Sequence, residues 1–491
     1  MAYSEASPSS RQRLIVQLEQ LIAELQPGDR LPPVRELTQR YASSPVTVSA
    51  ALRELARSGA LAVRPGAGTF VAKPTAATRS TDSTAAAPFP DATPSSANLN
   101  SARPGSDVVW QTLALHSRPS LPPAVQNLFR PPLADTVPFT DGYLDETLQP
   151  LGLMNAALGR IARRPGVWSR LPPEGLEALR AWFARSAGTG FTARDVVIVP
   201  GGQAAISTVF RSLLPRGAPI LVESPTYFGV LAAARVAGLR LVPVPTDRHG
   251  VRPDLLEQAF RSSGARAVYL QPLYANPTGA VLAPERRAAV LDSAERAGAF
   301  VIEDDYARDL HFTGPAPPPL ASQAEGRVIY LRSLTKVTAA GLRIAALIAH
   351  GPVLQRLKEA RAVEDFFPAA LQQEAALDVV TSRGWGAHLS RLQEALRDRQ
   401  GAALRALAEF CPQVRVEHVP QGGFVLWLRL PEGPGADEFA ARALRAGVQI
   451  SAGSGFFQAE PSGEYLRLSY AACSPSRVTE GVRRLGLILP A

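Results

Sequence analysis

The chain has 491 residues, 46% of them apolar, enough to bury more than one core, and length scaling gives about two to four domains. Of its 52 basic residues only Lys73, Lys336 and Lys358 are lysines, so arginine carries the net charge of +9, which suits a polyanionic partner, and chemistry that needs an amine has three places to happen. Cys411 and Cys473 stand without a C-x-x-C pair, the six histidines show no metal-ligand spacing, and no apolar run approaches the roughly 20 residues that span a bilayer. These features argue against a disulfide scaffold, a metal site and a membrane partner, and the expected location is the cytoplasm.

Residues 9–73 read as one folded unit. Leu14, Leu18, Leu21, Ile22 and Leu25 recur at helical spacing, which predicts a first helix from about Arg11 to Leu25, stopped by Pro27-Gly28. A second helix is predicted from Pro33 to Tyr41, with Pro in its first turn, where the missing N–H costs nothing. A third begins near Ser44-Pro45 and turns Val48, Ala51, Leu52 and Leu55 inward. Leu61 to Val63, the turn Arg64-Pro65-Gly66-Ala67-Gly68 and Thr69 to Val71 then form a two-stranded ribbon. Three helices and a Gly-rich ribbon make a winged helix-turn-helix, whose third helix enters the major groove while the wing approaches the backbone.

The strings PGDRLPPVRELTQRY, TVSAALRELARSGAL and RPGAGTFV resemble the GntR-type DNA-binding domain over about 65 residues. That resemblance implies that Arg35, Ser44, Thr47 and the wing residue Gly66 touch DNA, mainly at phosphates. Pro45 stands where many members carry Arg, which removes a contact and bears on operator preference.

From Pro74 to Ser106 the text turns to Pro, Ala, Ser and Thr without a period, which predicts an extended interdomain linker over residues 74–106. Beyond it, in residues 107–491, short β-branched runs alternate with amphipathic helical segments. The runs are Val196 to Val199, Ile220 to Val222, Ala267 to Gln271, Phe300 to Glu303 and Val328 to Leu331. This is the pattern of an α/β fold with a mostly parallel sheet covered on both faces, where ligands sit at the carboxyl ends of the strands.

Lys336, in RSLTKVTAAGLRIA, follows one such run, so its amine belongs at a strand's carboxyl end, where a depressed pKa makes a lysine a Schiff-base nucleophile. Lys73 borders the linker, and Lys358 lies in the helical LQRLKEARAVED, where exposure to solvent is expected. The neighbours of Lys336 supply what pyridoxal phosphate (PLP) requires. Asp304, after Phe300 to Glu303, offers a carboxylate to the pyridine nitrogen, so the ring acts as an electron sink. Tyr306, and Asn276 in YANPTG, are placed to hydrogen-bond the ring's 3-oxygen; Tyr227, in ESPTYFG, offers an aromatic face for stacking. Gly201, Gly202 and Gln203 open a helix after a strand and present N–H groups to the phosphate, which Ser333 and Arg343 also contact. Arg467, in EYLRLSY, is suited to clamp a substrate carboxylate.

Taken in order, GGQ, SPTY, NPTG, EDDY, SLTK and LR resemble the fold-type I aminotransferases of the aspartate aminotransferase superfamily, and PPEGLEALR and PQGGFVLWLRLP add to the likeness. The resemblance covers about residues 107–491. Joined to a GntR-type head through a long linker, it matches the architecture of the MocR (GabR-like) transcription regulators. The subfamily often has an aromatic at the position of Asn276, where this chain restores the aminotransferase pattern. Arg170 aligns with a Tyr that in relatives reaches the neighbouring subunit's phosphate.

The resemblance implies a homodimeric, PLP-dependent regulator that binds an operator in double-stranded DNA and senses an amino compound or PLP itself through an internal aldimine on Lys336. Two alternatives stand beside it: a working aminotransferase with an accessory DNA-binding head, and a DNA-binding protein whose PLP fold serves only to dimerise it. Arg467 suggests a carboxylate on the effector without identifying it, and neither the target genes nor the sign of regulation is written in the sequence.

Overall fold

A computed structural model of the chain describes residues 10–26, 28–41, 43, 47–48, 51–52, 55–56, 60–64, 68–71, 131–324, 326–433 and 435–489. The chain divides into two compact units, Met1–Ser106 and Asp107–Ala491. The predicted linker at 74–106 lies outside the described residues, as do Lys73, Ser44, Pro45 and Gly66.

In the first unit the opening helix is Ser10–Ala23, which ends two residues sooner than the leucine spacing predicts. A turn takes over there, closed by Asp29, whose carboxylate accepts the Gln26 N–H at 2.8 Å. The second helix is Val34–Arg40, and Pro33 precedes it as an extended capping residue instead of lying in its first turn. Thr47, Val48, Ala51, Leu52, Leu55 and Ala56 are helical. Strands β1 (Leu61–Arg64) and β2 (Gly68–Val71) pair antiparallel with Leu61 opposite Val71. Residues 28–31 run along β2: Gly28 donates to Val71 O at 2.9 Å, and Leu31 donates to Thr69 O at 2.8 Å. Leu14, Leu18, Leu21, Leu37, Val48, Leu52 and Leu55 fill one core, so each helix contributes the apolar stripe its spacing predicts. Of the residues assigned to DNA, Arg35 belongs to the second helix by its backbone, and Thr47 is half-buried in the third helical stretch.

The second unit opens with the short β3 (Val137–Pro138) and is built on β4 (Val196–Val199), β5 (Pro219–Ser224), β6 (Arg240–Asp247), β7 (Gly250–Val251), β8 (Ala267–Leu270), β9 (Phe300–Asp305), β10 (Val328–Ser333) and β11 (Ala345–Ile348). Their order is β4-β11-β10-β9-β8-β5-β6-β7. Strands β10, β9, β8, β5 and β6 pair parallel, whereas β11 is antiparallel to both of its neighbours and β7 to β6. Alternation along each strand feeds two cores. Val196 and Ile198 join one, and Val197 and Val199 join the other, under helices Gly202–Leu213, Phe228–Ala237 and Pro352–Asp365. The polar ends of two strands extend past the predicted runs, so Asp304 lies within β9 and Ser333 within β10. A second sheet, with Val425–Arg429 and Tyr465–Ser469 at its centre, packs among helices Trp385–Phe410, Ala436–Arg445 and Pro475–Ile488. Among the described residues no helix is long and apolar enough to cross a membrane.

Candidate functional site

Carboxyl ends of parallel strands gather polar groups because successive strands point the same way and their backbones splay apart there. After β4 the chain turns at Gly201, whose φ of 96° suits glycine and whose missing side chain makes room for Arg343: a Cβ would lie 2.3 Å from Nη2 of that residue. Helix Gly202–Leu213 then starts with no side-chain cap, which leaves its first N–H groups for an anion. Gly202 lies beside Ser333, with a built Cβ 4.0 Å from the serine Cβ, and Arg343 Nη2 donates to Pro200 O at 3.1 Å. Gln203 donates to Gly229 O at 2.9 Å and accepts the Tyr227 hydroxyl at 3.2 Å. Ser333 Oγ is bonded to Thr335, 3.1 Å from its Oγ1.

The Lys336 amine donates to Gly142 O at 2.9 Å and sits 4.0 Å over the Tyr143 ring. Loss of solvent, then repulsion from Arg467, pulls it down to about 8, against the attraction of Asp141. Asp304 is buried, and its Oδ2 accepts the Tyr269 hydroxyl and, at 2.9 Å, the Gln271 amide. Burial pushes Asp304 up to about 6, while those two hydrogen bonds and Lys336 favour its charged form. The Tyr306 hydroxyl donates to Tyr274 O at 2.5 Å, and burial holds it above the usual phenol range.

Arg467 reaches the same pocket from the second sheet. Its Nη2 donates to Thr140 O at 2.5 Å and its Nη1 to Asn276 Oδ1 at 3.4 Å, while its buried Nε has no partner among the described residues. Burial pulls the guanidinium down to about 10, so it stays charged at neutral pH. Asp141 completes the charges: it accepts the Tyr143 N–H at 3.0 Å, and burial raises its carboxyl despite Lys336 and Arg467.

The structure thus brings Gly201, Gly202, Gln203, Tyr227, Asn276, Asp304, Tyr306, Ser333, Lys336, Arg343 and Arg467 into one neighbourhood, in which Lys336 feels the charges of Arg467, Arg343 and Asp304. Arg170 is exposed, with its guanidinium 6.0 Å over the Phe367 ring. Lys358 departs from the expectation of a solvated lysine. It is half-buried, donates to Arg194 O at 3.1 Å and faces Glu174 at 3.8 Å, so it ties a helix to the segment before β4. Sequence reasoning missed Tyr269, Gln271, Glu223 and the stretch Thr140 to Tyr143. The first two had a signal: they lie two apart in VYLQP, on one strand face next to the run that carries Asp304.

The aminotransferase class I and II family matches residues 167–485, and the bacterial regulatory proteins of the gntR family match residues 11–71. Among solved structures, LysN, the alpha-aminoadipate aminotransferase of Thermus thermophilus, complexed with N-(5'-phosphopyridoxyl)-L-leucine, is 33% identical with a TM-score of 0.69, over 74% of this chain and 93% of its own. The uncharacterized HTH-type transcriptional regulator YdcR of Escherichia coli is 28% identical over 97% of this chain and 98% of its own length. The probable rhizopine catabolism regulatory protein MocR of Rhizobium meliloti is 26% identical over 72% of each chain. By these likenesses the chain belongs to the aminotransferase class I and II family and carries a gntR-family head, the two-part arrangement of the MocR-like transcription regulators.

Proposed function

We propose that the protein is a DNA-binding transcription regulator whose second unit holds PLP covalently through Lys336 and takes an amino compound, or the cofactor itself, as effector. One observation carries this: a gntR-family head shares a chain with a pocket in which a lysine of depressed pKa and a buried acid, Asp304, meet at the ends of β10 and β9.

The residues fit the cofactor. A bare helix start, a glycine that a Cβ would jam against Arg343, and Ser333 beside it suit a phosphate. Asp304 suits a ring nitrogen, Asn276 and Tyr306 the ring's 3-oxygen, and Tyr227 with Gln203 one edge of the pocket. When bound, PLP supplies an electrophilic carbon for amines and an electron sink. Arg467, whose buried Nε lacks a partner among the described residues, donates to a carboxylate on the effector. Lys336 would hold the cofactor, an effector amine would compete with it for that place, and the signal depends on how differently the effector binds two arrangements of the protein.

The head spans residues 9–73 and contacts DNA through Arg35, Ser44, Thr47 and Gly66; residues 74–106 tether it to a homodimeric body of residues 107–491. Two tethered heads gain avidity on a repeated operator when the linker spans the half-sites. Arg170 takes the place of a tyrosine that reaches the neighbouring subunit's phosphate, and the protein works in the cytoplasm.

A second role, a working aminotransferase with an accessory head, is favoured by the Asn276–Arg467 contact and by the 33% identity to an aminotransferase of known structure. Turnover with a panel of amino acids and 2-oxo acids, set beside a footprint on the DNA upstream of the protein's own gene, separates the two. Sustained turnover without a footprint overturns the regulator. Replacement Lys336→Ala removes the absorbance of the lysine-bound cofactor; an unchanged spectrum shows that another amine holds it.

A further inference from the structure

We infer that Gln271, with Tyr269, is a positioning residue for the cofactor ring: the pair holds Asp304 by one oxygen, presents the other to the ring nitrogen, and ties this acid to the Asn276 turn. This rests on the cofactor site proposed above.

Gln271 follows β8, between the ends of β5 and β9, and is 2% exposed. Three of its polar groups are bonded. Its N–H donates to Glu223 Oε2 at 2.8 Å, its Nε2 donates to Asp304 Oδ2 at 2.9 Å, and its Oε1 accepts the Asn276 N–H at 2.9 Å. A primary amide supplies both a donor for an acid and an acceptor for an N–H from one side chain of this length, whatever the pH. Tyr269, two residues earlier, donates its hydroxyl to the same Oδ2, so Oδ1 is the oxygen left for a donor in the pocket. Glu223 sits just behind. Burial, with the charge of Asp304, pushes it up to about 8, which disfavours a second negative charge beside Asp304. Both donors favour the charged form of Asp304, the form that keeps a ring nitrogen protonated. Asn276, which meets Arg467, is placed through the same amide.

The test uses the full chain, PLP as probe, and spectral titration of the dissociation constant. Gln271→Met deletes the donor while keeping length, and Tyr269→Phe deletes a single oxygen from the same contact. Each weakens PLP binding about tenfold, as expected for one hydrogen bond to a charged group. In an Asp304→Ala background the Tyr269→Phe loss vanishes and the Gln271→Met loss shrinks to what the Asn276 contact carries. Wild-type affinity in the variants, or a Tyr269→Phe loss that persists in full without Asp304, overturns the positioning role while PLP binding by the wild type stands. A wild type that does not bind PLP overturns the cofactor site and this role together.

Discussion

Arg467→Met removes the group on which recognition of a carboxylate depends. The side chain is 3% exposed, two of its N–H groups are held by Thr140 O and Asn276 Oδ1, and its buried Nε has no partner among the described residues. A hydrogen bond to a charged group contributes about 1.5–3 kcal/mol, so a two-point contact with a carboxylate contributes about 3 kcal/mol at the lower end. At about 1.4 kcal/mol per decade, the variant binds a carboxylate-bearing amine about 100-fold more weakly. Arg467→Lys does not restore the loss, because an ammonium is a point charge without the planar fork. The assay is a titration of cofactor-loaded protein, followed by absorbance, with an α-amino acid and with the amine that lacks its carboxylate. The first loses about 100-fold, and the second holds within about twofold, the scatter of an uncoupled site. Equal losses for both ligands, or none for either, refute the assignment of Arg467.

Covalent attachment of PLP needs a neutral amine, and among the described residues the lysine that burial favours as neutral is Lys336, pulled down to about 8. The attachment rate therefore rises as pH passes through about 8 and levels above it; a rate still climbing past pH 10 contradicts the buried amine. Gly201→Ala forces a side chain onto a φ of 96° and into Arg343, at a cost of about 1–3 kcal/mol that appears as PLP affinity about tenfold weaker or worse. Unchanged affinity there places the phosphate elsewhere. In the head, Leu18→Ala opens a cavity at a fully buried position, destabilises the helices by about 2–5 kcal/mol and weakens DNA binding while the cofactor spectrum stays as it was. DNA binding at wild-type strength separates that core from the DNA-binding function.

The five β-branched runs are all strands, because an apolar run bounded by Gly, Pro and Ser leaves a buried strand little alternative. Their ends were harder to read. Asp304 and Asp305 carry no apolar signal yet continue the parallel pairing of β9 with Leu331 and Arg332. The pairing of residues 28–31 with β2 is a backbone event with no side-chain signature. Lys336 was legible through its rarity, and Asp304 through its place after an apolar run. The contacts of Thr140 and Gly142 were not, since they join segments 327 and 194 residues apart, and nothing local marks a carbonyl that will receive a cation. Tyr269 has the look of a core aromatic; only the fold shows that its hydroxyl ends on Asp304. The exposed state expected for Lys358 failed for a similar reason, because its partner Glu174 is remote in sequence.

The central claim is that occupancy of the Lys336 site is communicated to DNA. The direct measurement is the affinity of the full chain for a duplex from upstream of its own gene, taken without cofactor, with PLP, and with PLP plus each of a panel of amino compounds. The account predicts that PLP, alone or with at least one amino compound, shifts the affinity of the wild type, and that the shift is lost in Lys336→Ala. The same affinity in every condition, or a shift that survives in Lys336→Ala, contradicts it.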